Sequence, residues 1–254
     1  MIKKYTLQIN TKDSVKQSRY GDWGYQFYGV LMDTLKNDEY GNELHMQEST
    51  PISQYAAQTG TGRGEWIVNL MGTSAIEQFS DRLDSLSSFH LNLPDVDISI
   101  VERKVETISS VREILDKAAQ SFDVDRFIVS FRSSTSFKSE GEYAFFPTVA
   151  WIVKSLVAKW NATWTTSIIA DDDAVAALIR GLRLSAYKLS SSFYPIKGIK
   201  IPGFIGDITL TARLPVPLLE LLKPLLYFGC FSGVGIKCAL GMGGMTALPS
   251  TRGR

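Results

Sequence analysis

Phe231-Ser232-Gly233-Val234-Gly235-Ile236-Lys237-Cys238-Ala239-Leu240-Gly241-Met242-Gly243-Gly244-Met245 is the most distinctive stretch of the chain. Two Gly-x-Gly pairs stand five residues apart, with one lysine and no carboxylate between them. Glycine turns where other residues are strained, and it lets a second backbone come close. Successive N–H groups in such a turn make a concavity for an anion, and Lys237 adds positive charge. Two readings stay open on the pattern alone: a loop that approaches a phosphate backbone, and a glycine-rich hairpin packed on the apolar segment from Leu218 to Phe228. No Gly-Lys-Ser/Thr follows the glycines, and the stretch does not open a strand–turn–helix unit as a dinucleotide fingerprint does. A nucleotide-binding metabolic enzyme is therefore the weakest functional reading.

Outward from that stretch, the spacing predicts a helix from Pro217 to Phe228 and a last strand from Leu240 to Leu248. Upstream, Leu182 to Ser190 and Ile205 to Ala212 read as strands. The turn between them runs from Tyr194 to Gly206 and carries Lys197 and Lys200. A helix with Val149, Ile152, Val153, Leu156, Val157 and Trp160 on its apolar side follows Pro147, which suits a first helical turn. Ser133 to Tyr143 is polar, contains Lys138, and is expected to be a flexible loop over a ligand. Arg126 to Phe131 is a strand. The second half thus reads β-α-β-β-α-β.

The first half has the same order. Tyr5 to Ile9 alternates as a strand, and a helix begins at Trp23 with Phe27, Leu31 and Leu35 inward. Leu44 to Gln47 and Ile52 to Tyr55 are short strands, and Trp66 to Met71 is a longer one. A helix from Ser74 to Leu86 and a strand from Val96 to Val105 complete the set. Ser110-Val111-Arg112-Glu113 is a capping box that opens a bridging helix. The expected fold is α+β: tandem ferredoxin-like (RRM-like) domains with antiparallel sheets and a C-terminal glycine-rich loop. The boundaries are 1–120, including the bridging helix, and 121–254.

Bulk properties narrow the function. Of 254 residues, 44% are hydrophobic and 21% charged, so the chain can build a core and is not of disordered composition. The net charge of +1 gives no global basic field, and nucleic-acid binding would need a local positive surface. Two cysteines and two histidines make neither a disulfide framework nor a zinc pattern. Asp171-Asp172-Asp173 reads as a helix start or solvated turn, not a metal site. No metal and no cofactor are expected. The sequence opens without a signal-peptide hydrophobic region and has no apolar run of membrane-spanning length, so a cytoplasmic protein without a membrane partner is expected.

Candidate chemistry is sparse. His45 can exchange a proton near neutral pH, although composition alone favours a structural or incidental histidine. His90 reads as a loop residue. Tyr25 and Tyr28 supply hydroxyls or simply pack at a helix edge. Lys12, Lys16, Arg19, Lys154 and Lys159 are further cations for a polyanion.

Several segments together resemble the CRISPR-associated repeat RNA endoribonucleases of the repeat-associated mysterious protein superfamily. They are Gly233, Gly235, Gly241 and Gly243; Phe137 to Tyr143 with Phe146-Pro147-Thr148 and Trp160-Asn161; Ile201 to Gly206; and Leu44-His45. The resemblance spans most of the chain. It implies metal-independent cleavage of repeat RNA by 2′-OH attack, giving a 2′,3′-cyclic phosphate and a 5′-OH. It implies His45 as general acid or base, with Tyr28 and, second, Tyr25 near the 2′-OH or scissile phosphate. It implies Gly233, Gly235, Lys237, Gly241, Gly243, Lys197, Lys200 and Lys138 as RNA contacts, with Arg112 and Lys117 on a helix face. The family often carries a lysine after the histidine, but Ser49-Thr50-Pro51-Ile52 supplies none; Lys36, Arg63 and Lys138 are substitutes from elsewhere. The implied partners are repeat precursor RNA and processed crRNA, with CRISPR effector proteins and a second copy of the chain as further candidates. The alternative function is a catalytically weak or inactive repeat-RNA-binding subunit of an effector complex.

Overall fold

Strand β1 (Ile2–Thr11) alternates, and it turns Tyr5, Leu7 and Ile9 to one buried face. In the computed structural model, which describes all residues except 12–19, 34, 36–39, 43, 45–49, 94 and 251–254, β1 lies at the centre of a five-stranded sheet. Its antiparallel neighbours are β3 (Arg63–Met71) and β5 (Val96–Ile108), and the order is β2-β3-β1-β5-β4, with β2 at Ile52–Gly60 and β4 at Ser88–Leu91. Helices α1 (Gly24–Met32) and α2 (Thr73–Ser85) cover one face. Phe27, Leu31, Phe79 and Leu83 pack there with Tyr5, Trp66 and Val68 in one core.

The second sheet has four antiparallel strands in the order β11-β6-β10-β9. They are β6 (Arg126–Thr135), β9 (Leu182–Ile196), β10 (Ile199–Ala212) and β11 (Met245–Pro249). A small hairpin, β7 (Phe137–Ser139) and β8 (Glu142–Ala144), stands apart. Helices α4 (Val149–Thr163) and α6 (Val216–Ser232) fill the core with Ile152, Leu156, Trp160, Leu225 and Phe228. In both sheets the first strand of the half lies between the third and the last long one. The architecture is α+β with antiparallel sheets, as the periodicity predicts.

Helix α3 (Val111–Ser121) joins the halves. The Ser110 hydroxyl accepts from the Glu113 N–H at 3.2 Å, and the Glu113 carboxylate accepts from the Ser109 N–H at 2.8 Å, a capping box displaced by one residue. Its Ile114 and Ala118, with Phe122, enter the core of the second sheet. Helix α5 (Asp172–Gly181) starts at Asp171, whose carboxylate accepts from the Ala174 N–H at 2.9 Å.

Several local expectations change. The stretch 133–143 is not a flexible loop: β6 ends in it at Thr135, the β7–β8 hairpin takes up the rest, and Phe137 is buried between Trp151 and Phe204 in a stacked array. Polar composition there reflects strands with one wet face. Residues 194–206 are not a loop either, because β9 and β10 continue until only a tight turn remains at Lys197-Gly198. Both turn residues have positive φ, as the favoured two-residue hairpin turn requires. The last strand starts at Met245 rather than Leu240, since 238–240 form a 3-10 turn. Leu44 is helical and buried, not in a strand. Pro147 precedes the cap of α4 instead of entering its first turn, and Thr148 caps it. His90 lies in β4, not in a loop. Among the described residues, no helix is long and apolar enough to cross a membrane.

Candidate functional site

The glycine stretch is a packed turn with one wet edge. Val234 N–H donates to the Gly243 carbonyl at 2.8 Å, Ile236 N–H to Ser136 at 3.0 Å and Gly243 N–H to Ser134 at 3.0 Å. Gly235 N–H donates to the Ser155 hydroxyl and Gly244 N–H to the Ser133 hydroxyl, at 2.8 and 2.9 Å. These amides are occupied within the fold and are not offered to a guest. Two glycines are forced by space. A Cβ at Gly243 would stand 2.1 Å from the Val234 carbonyl oxygen, and one at Gly241 would stand 2.7 Å from the Gly24 Cα. The second contact is the start of α1, so the turn and the helix meet backbone to backbone.

Gln54, fully buried on β2, fixes that meeting. Its amide donates to the carbonyls of Gly24 at 2.8 Å and Ala239 at 3.0 Å, and its oxygen accepts from the Trp66 indole at 3.0 Å. All its main hydrogen-bonding capacity is used. The Tyr194 hydroxyl donates to the Leu240 carbonyl from the other side. A sheet, a helix and the turn are thus locked together, and the outer rim of this lock is a cleft of about 600 Å³.

Tyr25, Tyr28, Lys159, Lys197 and Lys237 line the cleft, and none of its described lining residues is Asp or Glu. Tyr25 and Tyr28 are three residues apart on α1 and therefore share a face. Burial raises the Tyr28 pKa, and nearby Tyr25 raises it further, so this phenol stays a proton-bearing donor at neutral pH. The Lys197 ammonium is 5.9 Å from the Tyr25 ring centroid, within cation–π range. Lys237 is exposed and left-handed, at φ 55° and ψ 36°, a conformation that costs a non-glycine residue about 1–2 kcal/mol. Leu44 and Thr50, the described residues flanking 45–49, both line the same cleft. A second groove of about 730 Å³ shares Tyr25, Tyr28 and Lys197 with it and extends to His90.

The structure therefore brings Tyr25, Tyr28, Lys197, Lys237 and Gly235 to one place. Gly233, Gly241 and Gly243 form its support and do not line it. Lys138, on β7, and Lys200, on β10, are exposed and outside the lining, as is Arg63. His45, Lys36, Lys12, Lys16 and Arg19 lie outside the described residues. Arg112 pairs with Asp116 at 3.0 Å, and Lys117 with Glu106 at 3.2 Å and Glu113 at 3.5 Å, as an ordinary charged helix would. The His90 ring lies 3.0 Å from Asp97 and 3.4 Å from Asp95. Cys238 is buried and Cys230 mostly so, both as free thiols, and burial raises the Cys230 pKa. Sequence reasoning missed Gln54 and Ser155, which position the turn. A glutamine in an apolar strand such as Ile52 to Tyr55 is the one signal that could have flagged the first.

Comparison with known proteins points one way. The family model for "CRISPR-associated endoribonuclease Cas6" matches residues 129–245. A protein of that description from Mycobacterium tuberculosis is 28% identical over 254 residues, covering 98% of this chain and 79% of the other. Another, from Streptococcus thermophilus, is 29% identical over 230 residues, covering 88% and 90%. A solved structure described as a Cas6 product complex has the same fold, with a TM-score of 0.76 at 19% identity over 97% of this chain and 99% of that one.

Proposed function

On its similarity to proteins described as CRISPR-associated endoribonuclease Cas6, we propose that this chain belongs to that family, within the repeat-associated mysterious protein superfamily, and that it cleaves CRISPR repeat RNA without a metal. The reading includes tandem ferredoxin-like domains, 1–120 and 121–254, whose junction carries the site. One observation carries it. A single cleft free of described carboxylates gathers two tyrosines and three lysines, and the residues on either side of 45–49 line its wall.

The chemistry follows from the substrate. The 2′-oxygen bonds to the adjacent phosphorus and gives up its proton, while the P–O5′ bond breaks and the leaving oxygen takes a proton. The products end in a 2′,3′-cyclic phosphate and begin with a 5′-OH. DNA lacks the nucleophile. His45 performs one of the proton transfers. Tyr28, a phenol whose pKa burial raises, donates a hydrogen bond to the 2′-oxygen or to a phosphate oxygen, with Tyr25 beside it. Lys197 and Lys237 hold the RNA backbone across the mouth, and Lys200 on β10 and Lys138 on the small β7–β8 hairpin extend that contact. The glycines Gly233, Gly235, Gly241 and Gly243 act by letting the turn approach α1. We place the protein in the cytoplasm, with precursor and processed crRNA as its ligands; effector proteins and a second copy remain partners to test.

A repeat-binding subunit that does not cut is the second reading, favoured by the missing lysine in Ser49-Thr50-Pro51-Ile52. Single-turnover cleavage of the cognate repeat in EDTA separates the two. Cleavage that His45→Ala lowers by about 100-fold or more, in the range expected for a general acid–base group, with RNA affinity kept, supports the enzyme. Tight binding by a wild-type protein that does not cut supports the subunit.

A further inference from the structure

Of the three lysines that line the cleft, one comes from a helix and is half-buried. Lys159 lies near the C-terminal end of α4 and is half-buried, and its ammonium is 3.3 Å from the Cys238 sulfur. Cys238 starts the 3-10 turn that follows Lys237. Its sulfur rests against the glycine pairs: a Cβ on Gly233 would be 3.1 Å from it and one on Gly243 2.8 Å. The glycines therefore make room for the thiol, and the thiol holds the lysine. Among the described residues Lys159 has no ion pair, and the cleft it lines has no described Asp or Glu.

We infer that Lys159 is the catalytic cation of this site, contacting the non-bridging oxygens of the scissile phosphate and neutralising the charge that builds up as the phosphorane forms. The inference rests on the endoribonuclease reading above. It answers the departure at Ser49-Thr50-Pro51-Ile52, because charge stabilisation is supplied from α4 instead of from the segment after the histidine. The other two cleft lysines suit this task less. Lys197 and Lys237 are exposed at turn tips, where water and salt screen them. A half-buried ammonium acts through a lower effective dielectric. Its three donors can keep the sulfur contact and still serve two phosphate oxygens. Lys159 gains and loses no proton in the step; the new bond is 2′-O–P, the broken one P–O5′, and the proton traffic stays with His45 and its partners.

The test uses full-length protein, a repeat RNA in EDTA, and the same RNA with a 2′-deoxy nucleotide at the cut for binding. Lys159→Ala is expected to lower the single-turnover rate by about 100-fold, the loss typical of removing one electrostatic stabiliser. Affinity for the deoxy RNA should change by less than about 5-fold, because the charge matters most in the transition state. Lys159→Arg, which keeps the charge, should recover at least about a tenth of the wild-type rate, whereas Lys159→Met should not. Equal rates for wild type and Lys159→Ala would overturn the inference and leave the endoribonuclease reading intact. So would an Arg variant no better than Met, or a loss of affinity as large as the loss of rate. A wild-type protein that binds the repeat and leaves it uncut would overturn both.

Discussion

Gln54 is the residue whose removal should reach furthest. It satisfies two carbonyls from different elements and one indole N–H, all inside the protein. Gln54→Leu keeps the bulk and strands those three groups. Leaving a buried polar group unpaired costs about 1–3 kcal/mol, so the variant should lose roughly 3 kcal/mol, and a chain of this size then melts about 6–12 °C lower. Calorimetry checks the shift, and a melting temperature within about 2 °C of wild type would show that the network is dispensable. Tyr25 and Tyr28 were legible as candidates through the family resemblance, and their three-residue spacing on α1 puts them on one face. The role of Gln54 was not, because a polar residue in a strand says nothing about which buried carbonyls it will meet from residues 24 and 239. Lys159 was visible only as one of several lysines, since its neighbour Cys238 is 79 positions away.

The element that most constrains the site is the turn between α6 and β11. Its glycines were legible as a close-approach device, and both readings of them hold in part. The turn is packed, with its amides spent on β6, on the residues after it and on α4, and its wet edge presents Lys237 to a cleft. Which backbone it approaches was hidden, because Gly24 looks like any helix-start glycine until Gly241 is placed against it. Gly241→Ala puts a methyl 2.5 Å from the Tyr194 hydroxyl at a φ of 105°. We expect α1 and the turn to part, so cleavage should fall by about 10-fold or more, as a misplacement of about 1 Å does. Gly198→Ala is the control: its φ is also positive, at 80°, but nothing lies within 4 Å, so the cost is about 1–2 kcal/mol of backbone strain alone. Parallel single-turnover assays and melts compare them. Equal losses of cleavage from the two variants would count against the contact.

At the scale of the molecule, the main strands and helices of each half were readable because each half repeats the change from period two to period 3.6, whereas the short strand β4 and the β7–β8 hairpin were not. Lengths were not, since polar strands such as β9 lack the apolar alternation that marks a half-buried strand. The two halves share one core, that of the second sheet. Ile2, Met71 and Ile108 of the first sheet join the second core, as do Ile114, Ala118 and Phe122 in and after α3. The Ser53 hydroxyl donates to the Phe231 carbonyl, and the Tyr55 ring lies where a side chain on residue 244 would be, its buried hydroxyl pushed up to about 12. The whole chain should therefore unfold in one cooperative transition, and 1–120 made alone should expose that apolar face and fail to melt cooperatively. An independently stable 1–120 would show the halves to be separable. The coupling matters for function because the cleft takes its walls from both halves. The central claim, that this cleft cuts repeat RNA through the 2′-oxygen, is tested most directly by single-turnover cleavage of the cognate repeat in EDTA beside the same RNA with a 2′-deoxy nucleotide at the cut. The account predicts cleavage of the first to a 2′,3′-cyclic phosphate and none of the second. Cleavage of the deoxy RNA, or a requirement for added divalent metal, would contradict it.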